Sequence, residues 1–361
     1  MVEIPVRALA FYLPQFHPTP ENDRWWGKGF TEWRNVVRAK PLFDGHRQPR
    51  LPTELGFYDL RVPEVRHQQA ALARDHGLHG FCYYFYWFHG RRVLERPIDD
   101  MLADSSYDFP FCFFWANEGW TRTWTGKGED VLIEQRYSEA DAHALADYLV
   151  GIFRDRRYIT VNGKPVFVVY HPVQIKLWTT YAAILRQRAK AAGFPDIYLC
   201  MVRKTVRQAD HRDFGCDAAI EFPPSMTPDA ATNRDRAKSK FGAAMRPGFD
   251  GDLRLYGHLM RNMSRAEYPG QTVHKTVMID FDTTARVGQR ATVFPDASPQ
   301  FYAKWLALAG AETLARHSGD ARMMFIFAWN EWAEGAYLEP DEDRGRTLLE
   351  LTRTALQKLG T

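Results

Sequence analysis

The chain has 361 residues, 45% hydrophobic and 25% charged, with 47 Lys and Arg against 44 Asp and Glu for a net charge of +3. These proportions are those of an ordinary globular protein and exclude collagen-like, coiled-coil and disordered chains. The balanced charge argues against a nucleic-acid partner and a membrane-attracted surface. The longest apolar run, residues 81–88, is too short to cross a bilayer, so no membrane insertion is expected. The opening MVEIPVRALAFYLPQ lacks a basic-then-apolar leader, and Cys82, Cys112, Cys200 and Cys216 form no CxxC pair. A cytoplasmic protein with buried free thiols is the expectation.

Short apolar, β-rich runs at 8–13, 80–87, 109–115, 165–170, 197–201, 217–222, 276–281 and 323–329 predict eight strands. Helical patterns at 62–76, 139–154, 181–192, 300–317 and 346–359 fall between them. Strands alternating with helices predict a parallel sheet, and eight such units predict a (β/α)8 barrel, an α/β fold. No Pro-, Gly- or Ser-rich linker divides the chain, so one domain over 1–361 is expected. The connections at 14–62 and 223–274 are long, which marks functional loops. In a barrel, the loops after the strands form the catalytic face, so polar residues trailing each strand are the candidates for chemistry.

Nine of the eleven tryptophans, all but Trp178 and Trp305, fall at or just after apolar runs beside polar residues. Flat amphipathic rings at strand ends suit sugars, which have apolar C–H faces and hydroxylated edges; the alternative is that the rings close the end of the core.

Three segments carry the densest polar chemistry. After strand 8, Phe327-Ala-Trp-Asn-Glu-Trp-Ala-Glu-Gly335 sets Glu331 and Glu334 three residues apart, with Trp329, Asn330 and Trp332 around them. On a helical turn the two carboxylates share a side. In a semi-apolar pocket their proton affinities would be driven apart, giving the acid and the base that glycosidic hydrolysis needs. The alternative is a helix start capped by Asn330 with two exposed glutamates. After strand 3, Trp115, Asn117, Glu118, Trp120 and Arg122 could grip hydroxyls, or Glu118 and Arg122 could simply pair. After strand 1, Tyr12, Gln15, His17, Trp25, Trp26, Glu32 and Trp33 could line a cleft, although a lone His such as His17 is as readily structural.

Weaker candidates are Tyr84 to His89, including Trp87, after strand 2; Tyr170 and His171 after strand 4; Glu221 after strand 6; and the segment from Asp280 to Arg286 after strand 7. Asp280-Phe281-Asp282 is formally a D-x-D, a pattern by which nucleotide-sugar transferases hold a divalent metal. Three residues match by chance so often that Asp282 is placed with the substrate contacts instead. No HExxH and no His/Cys cluster of zinc spacing occurs, so no metal and no cofactor is expected.

The segments FYLPQFHPTPENDRWWGKGFTEWRNV, FCYYFYWFHGRRVLERP, FCFFWANEGWTRTW and FAWNEWAEGAYLEP resemble the WbsX-type proteins of lipopolysaccharide O-antigen clusters. That family is similar to glycoside hydrolase family 99, the endo-α-mannosidases and endo-α-mannanases. The resemblance runs from Phe11 to about Pro340 and implies a (β/α)8 barrel and retaining hydrolysis without a metal. It implies that Glu331 deprotonates the sugar's own 2-hydroxyl, which displaces the leaving group through a 1,2-anhydro intermediate. Glu334 would then be the general acid and afterwards the base for water. The chain departs from the family 99 pattern at Ala333, where a His is usual, so the reaction class carries over more firmly than the mannose preference.

The resulting expectation is a retaining α-glycoside hydrolase acting on a mannose- or rhamnose-configured unit of a bacterial oligo- or polysaccharide. The rivals are a glycosyltransferase, which the missing nucleotide-binding fingerprint does not favour, and a non-catalytic sugar-binding barrel.

Overall fold

The computed structural model describes residues 4–122, 127–205, 209–226 and 230–360. Eight parallel strands form a nearly closed barrel: β1 (Arg7–Tyr12), β2 (Gly80–Phe88), β3 (Phe111–Trp115), β4 (Lys164–Val169), β5 (Tyr198–Arg203), β6 (Ala218–Glu221), β7 and β8 (Met323–Phe327). β7 is split in two. Val273–His274 pairs with β6, and Thr276–Met278 pairs with β8. At the break the Nζ of Lys275 turns onto Glu221 at 3.0 Å. β8 then pairs with β1, Arg7 opposite Met323 and Ala10 opposite Ile326.

Eleven α-helices are described: α1 (Pro20–Trp26), α2 (Trp33–Val36), α3 (Pro63–Asp75), α4 (Arg96–Ala103), α5 (Glu139–Phe153), α6 (Trp178–Ala191), α7 (Ala230–Phe241), α8 (Tyr256–Met263), α9 (Thr284–Val287), α10 (Pro299–Arg316) and α11 (Thr347–Gln357). The five helices expected from periodicity correspond to α3, α5, α6, α10 and α11. Their starts follow local chemistry. The Ser138 hydroxyl accepts from the Asp141 amide at 3.1 Å to begin α5, and Ser298 with Pro299 at the first position begins α10. Among the described residues between β5 and β6, the helical element is a 3-10 turn, His211–Phe214.

Alternation along each strand sorts the side chains into two layers. Phe11, Phe114, Phe222, Phe325 and Phe327 point inward; Phe11 lies 5.4 Å from both Phe114 and Phe325, and Phe222 lies 5.2 Å from Phe327. Their neighbours in sequence point outward to the helices. Tyr12 donates to Gln69 of α3 at 2.7 Å, and Trp87 donates to Asp141 of α5 at 2.9 Å. The inward phenylalanines fill the barrel, several of them edge to face, and leave an aromatic floor where the strands end.

Candidate active site

A cavity of ≈ 640 Å³ opens at the C-terminal ends of the strands. Phe114, Phe222 and Phe327 lie beneath it, Tyr84 and Tyr86 rise from β2, and Trp25, Trp26 and Trp120 form walls. Trp120 stands on an antiparallel hairpin after β3 and meets Trp25 edge-to-face at 5.8 Å.

The acidic pair sits where β8 ends. Asn330–Glu331 pairs antiparallel with Ala336–Tyr337, and a single 3-10 turn, Trp332–Glu334, lies between them. That turn folds Glu334 back beside Glu331. Gly335 closes it with φ +64, and a Cβ there would come within 2.9 Å of the Arg50 guanidinium carbon and 3.0 Å of Asp282. A side chain at this position would be strained and would collide.

One buried cation organises the site. Arg286, on α9, grips Glu32 through Nε and Nη2 at 2.9 Å each and reaches Glu331 from Nη2 at 3.0 Å. Its Nη1 donates to Glu334. The exposed side-chain fractions are 4% for Arg286 and Glu32, 6% for Glu331 and 17% for Glu334. Three carboxylates against one guanidinium would leave two net negative charges on largely buried side chains. Burial therefore pushes Glu331 well above the ordinary carboxylate range; the charge of Glu334 raises it further, and Arg286 opposes both. Glu334 is also raised by burial, against the pull of Arg286 and with the push of Glu32. Because Glu32 occupies the guanidinium bidentately, Glu331 and Glu334 form a pair that retains a proton above the usual range.

Gln15, Trp25, Trp26, Glu32, Tyr84, Glu118, Trp120, Tyr170, Glu331 and Glu334 all line this cavity. Glu118 pairs with His171 at 2.8 Å and Lys204 at 3.4 Å. The side chain of Arg122 lies outside the described residues.

Ten of the expected substrate contacts are placed elsewhere. Tyr12, Trp87 and Trp115 are on the outward strand faces, and Trp115 stacks on Tyr181 of α6. Trp329 is outward too, 5.0 Å from Phe81. Asn117 braces the strand ends, accepting from the His171 amide at 2.7 Å. Asn330 caps no helix; it bonds both the amide (2.7 Å) and the carbonyl (3.0 Å) of Leu13, locking β8 to β1. Glu221 is turned away to Lys275 and Tyr268. His17 is buried off the cavity, and desolvation lowers its pKa to about 4, so it stays neutral. Asp282 is held by His46 at 2.8 Å and Gln48 at 2.7 Å, and Arg50 bonds Asp280 at 2.9 Å. The D-x-D carboxylates therefore anchor the long first loop, and their oxygens are occupied by cationic and amide donors. Among the described residues, no group of three or more His, Cys, Asp and Glu is arranged to hold a metal ion.

Trp332 is the tenth. It stacks on Tyr337 at 3.8 Å and donates to Glu339, a buried carboxylate whose pKa is pushed up to about 7. Trp332→Ala is expected to cost about 3–5 kcal/mol of folding stability, as for other buried large-to-small changes. Urea unfolding checks this, and a loss under about 1 kcal/mol would show that the ring is not a packing element.

Arg286, Tyr86 and the inward phenylalanines were not singled out as contacts by sequence reasoning. Tyr86 follows Tyr84 by two residues, the spacing that puts both on one strand face. Arg286 ends the Asp280–Arg286 segment after strand 7, where nothing in the local sequence marks it as the partner of Glu32.

A parallel eight-stranded barrel of this topology, with an acidic pair in an aromatic cavity over its open face, has the TIM-barrel fold. The solved structure of a "Glycoside hydrolase-like protein" superposes with a TM-score of 0.62 at 13% identity, covering 99% of this chain and 95% of the other. The GH99 endo-alpha-mannosidase from Bacteroides thetaiotaomicron gives 0.60 at 14% identity, covering 99% and 98%. At these identities the likeness is one of fold. The family described as "Glycosyltransferase WbsX" matches residues 8–352, and the chain belongs to the WbsX family. The "Uncharacterized protein WxcX" of two strains of Xanthomonas campestris pv. campestris is 45% identical over 356 residues, 98% of this chain and 50% of that protein. The chain thus spans about half the length of the curated relatives it matches. Among the described residues, no helix is long and apolar enough to cross a membrane.

Proposed function

We propose that this chain forms a single catalytic domain that hydrolyses an α-linked, mannose- or rhamnose-configured unit of a bacterial polysaccharide, with retention of configuration. The observation that carries the reading is the buried Glu331–Glu334 pair on one guanidinium, set in an aromatic-walled cavity at the end of β8.

Glu331 takes the proton of the sugar 2-hydroxyl. The freed oxygen attacks the anomeric carbon, whose bond to the leaving oxygen breaks, and Glu334 delivers its proton to that oxygen. The ionised Glu334 then accepts a proton from water, which opens the 1,2-anhydro ring at the anomeric carbon, and Glu331 returns its proton to the 2-oxygen. Two inversions give net retention, and both carboxyls end as they began. The pair retains a proton above the ordinary range, which suits a cycle that needs one acid and one base; the larger rise falls on Glu331, so its role as the base rests on the family resemblance and not on its proton affinity.

The family description favours a second reading, transfer from a nucleotide-sugar. The occupied oxygens of Asp280 and Asp282 speak against a metal-dependent version of it. The deciding test is incubation with α-mannan and α-rhamnan oligosaccharides, followed by proton NMR of the first-formed anomer. Release of α-anomer is expected, and a 2-deoxy analogue should be inert. No release from any oligosaccharide, together with turnover of a sugar nucleotide, would replace this reading with the transferase one.

A further inference from the structure

A second cavity, of ≈ 660 Å³, is lined by residues from the loops after β1, β6 and β7, and so lies on the same barrel face as the first. The two share Asn35. α9 is the ridge between them: Arg286 and Val287 face the carboxylate site, while Thr284 and Ala285 line the neighbour.

The two cavities differ in charge. The first contains Glu32, Glu331 and Glu334. The second contains Arg38, Lys40 and Arg246, and no Asp or Glu among its described lining. Arg246 pairs with the fully exposed Asp44 at 4.0 Å. Phe249 and Pro41 supply apolar surface for the C–H face of a ring, and Asn35 and Gln289 supply amides for hydroxyls. Arg38, Lys40 and Arg246 ring one concavity, and a Debye length of about 10 Å at 0.1 M salt is comparable to the width of such a cavity, so a bound anion would feel their charges together.

We propose that this cavity is a subsite for an anionic sugar, so that the polysaccharide cleaved next door carries a carboxylate or phosphate on a unit adjoining the scissile one. The proposal rests on the hydrolase reading for the word "scissile" and on the cavity alone for the anion preference. A chain leaving the carboxylate site past Asn35 would bring its next units over Arg38 and Lys40. The division of charge also fits. A negative unit is repelled from the carboxylate site and drawn to the basic one, which fixes the register in which the chain binds.

The test uses Glu331→Gln protein and α-mannan oligosaccharides in three forms: neutral, oxidised at C6 to the uronate, and 6-phosphorylated. Calorimetric titration at about 50 mM salt should show one or both anionic forms binding roughly tenfold or more tighter than the neutral form, with the advantage shrinking by about 0.5 M salt. Which anionic form gains more identifies carboxylate or phosphate. Adding Arg38→Gln, Lys40→Gln and Arg246→Gln together should erase the advantage and leave neutral binding unchanged. These three side chains are exposed, so folding should persist. Equal affinity for all three forms, no binding of either anionic form, or an advantage that survives the triple change would each overturn the proposal. An anion preference without release of reducing ends by the unmodified protein would overturn the hydrolase reading alone.

Discussion

Glu331→Gln is expected to abolish turnover of every glycoside, whereas Glu334→Gln is expected to spare the first step, release of the leaving group, where that group is a good one. The difference follows from what each carboxyl does. An activated aryl leaving group departs without a proton, so the first step survives loss of Glu334; an alkyl sugar leaving group needs that proton, and its rate should fall by roughly 10²–10⁴-fold. No leaving group relieves the need for a base at the 2-hydroxyl, so Glu331→Gln should be dead on both. Initial rates on aryl and disaccharide substrates check this, and equal loss for the two substrates in Glu334→Gln would remove it from the acid role. A stability measurement accompanies the kinetic one. Glu331 holds its proton more tightly folded than unfolded, so the folded state binds more protons and stability falls as pH rises from the ordinary carboxylate range through the folded-state value. Glu331→Gln lacks that ionisation and should be flatter with pH and more stable than the unmodified protein at pH 8. A steeper decline would mean that the carboxylate is stabilising, not strained.

The barrel was legible because its strands announce themselves. Each is a short apolar run buried on both faces, and burial on both faces is what a parallel sheet requires. The split of β7 was not legible, because it depends on Lys275 finding Glu221, a tertiary contact between residues 54 apart. At the site, Glu331 and Glu334 were readable from spacing and barrel position. The tryptophans were only half readable. Trp25, Trp26 and Trp120 reach the cavity from the connections after β1 and β3, but Trp87 and Trp115 sit next to inward residues and so face the helices, and Trp329, beyond the end of β8, packs on Phe81 although Phe327 two residues before it points inward. Strict alternation from Tyr84 would have turned Trp87 outward. Glu32 was readable as a cleft residue, but its bidentate contact with Arg286 was beyond any local pattern, since it joins residues 254 apart.

That contact gives the most discriminating expectation: neutralising Arg286 and neutralising Glu32 should move the pH profile in opposite directions. Arg286 favours the ionised forms of Glu331 and Glu334, and Glu32 disfavours them. Arg286→Met should therefore raise the pH at which the base ionises, moving the acidic limb of kcat/KM upward by about 1–3 pH units, the range for losing a close opposite charge. Glu32→Gln leaves the guanidinium less occupied, so both limbs should move downward. Removing one partner of a buried pair costs about 3–5 kcal/mol, so the pH profile of Arg286→Met should be read at a temperature where the variant is shown to stay folded across the range. The double variant Arg286→Met/Glu32→Gln removes one charge of each sign and should bring the profile most of the way back. If Arg286→Met and Glu32→Gln shift the limbs in the same direction, the guanidinium is a packing element, and the proton affinities of Glu331 and Glu334 are set by burial alone.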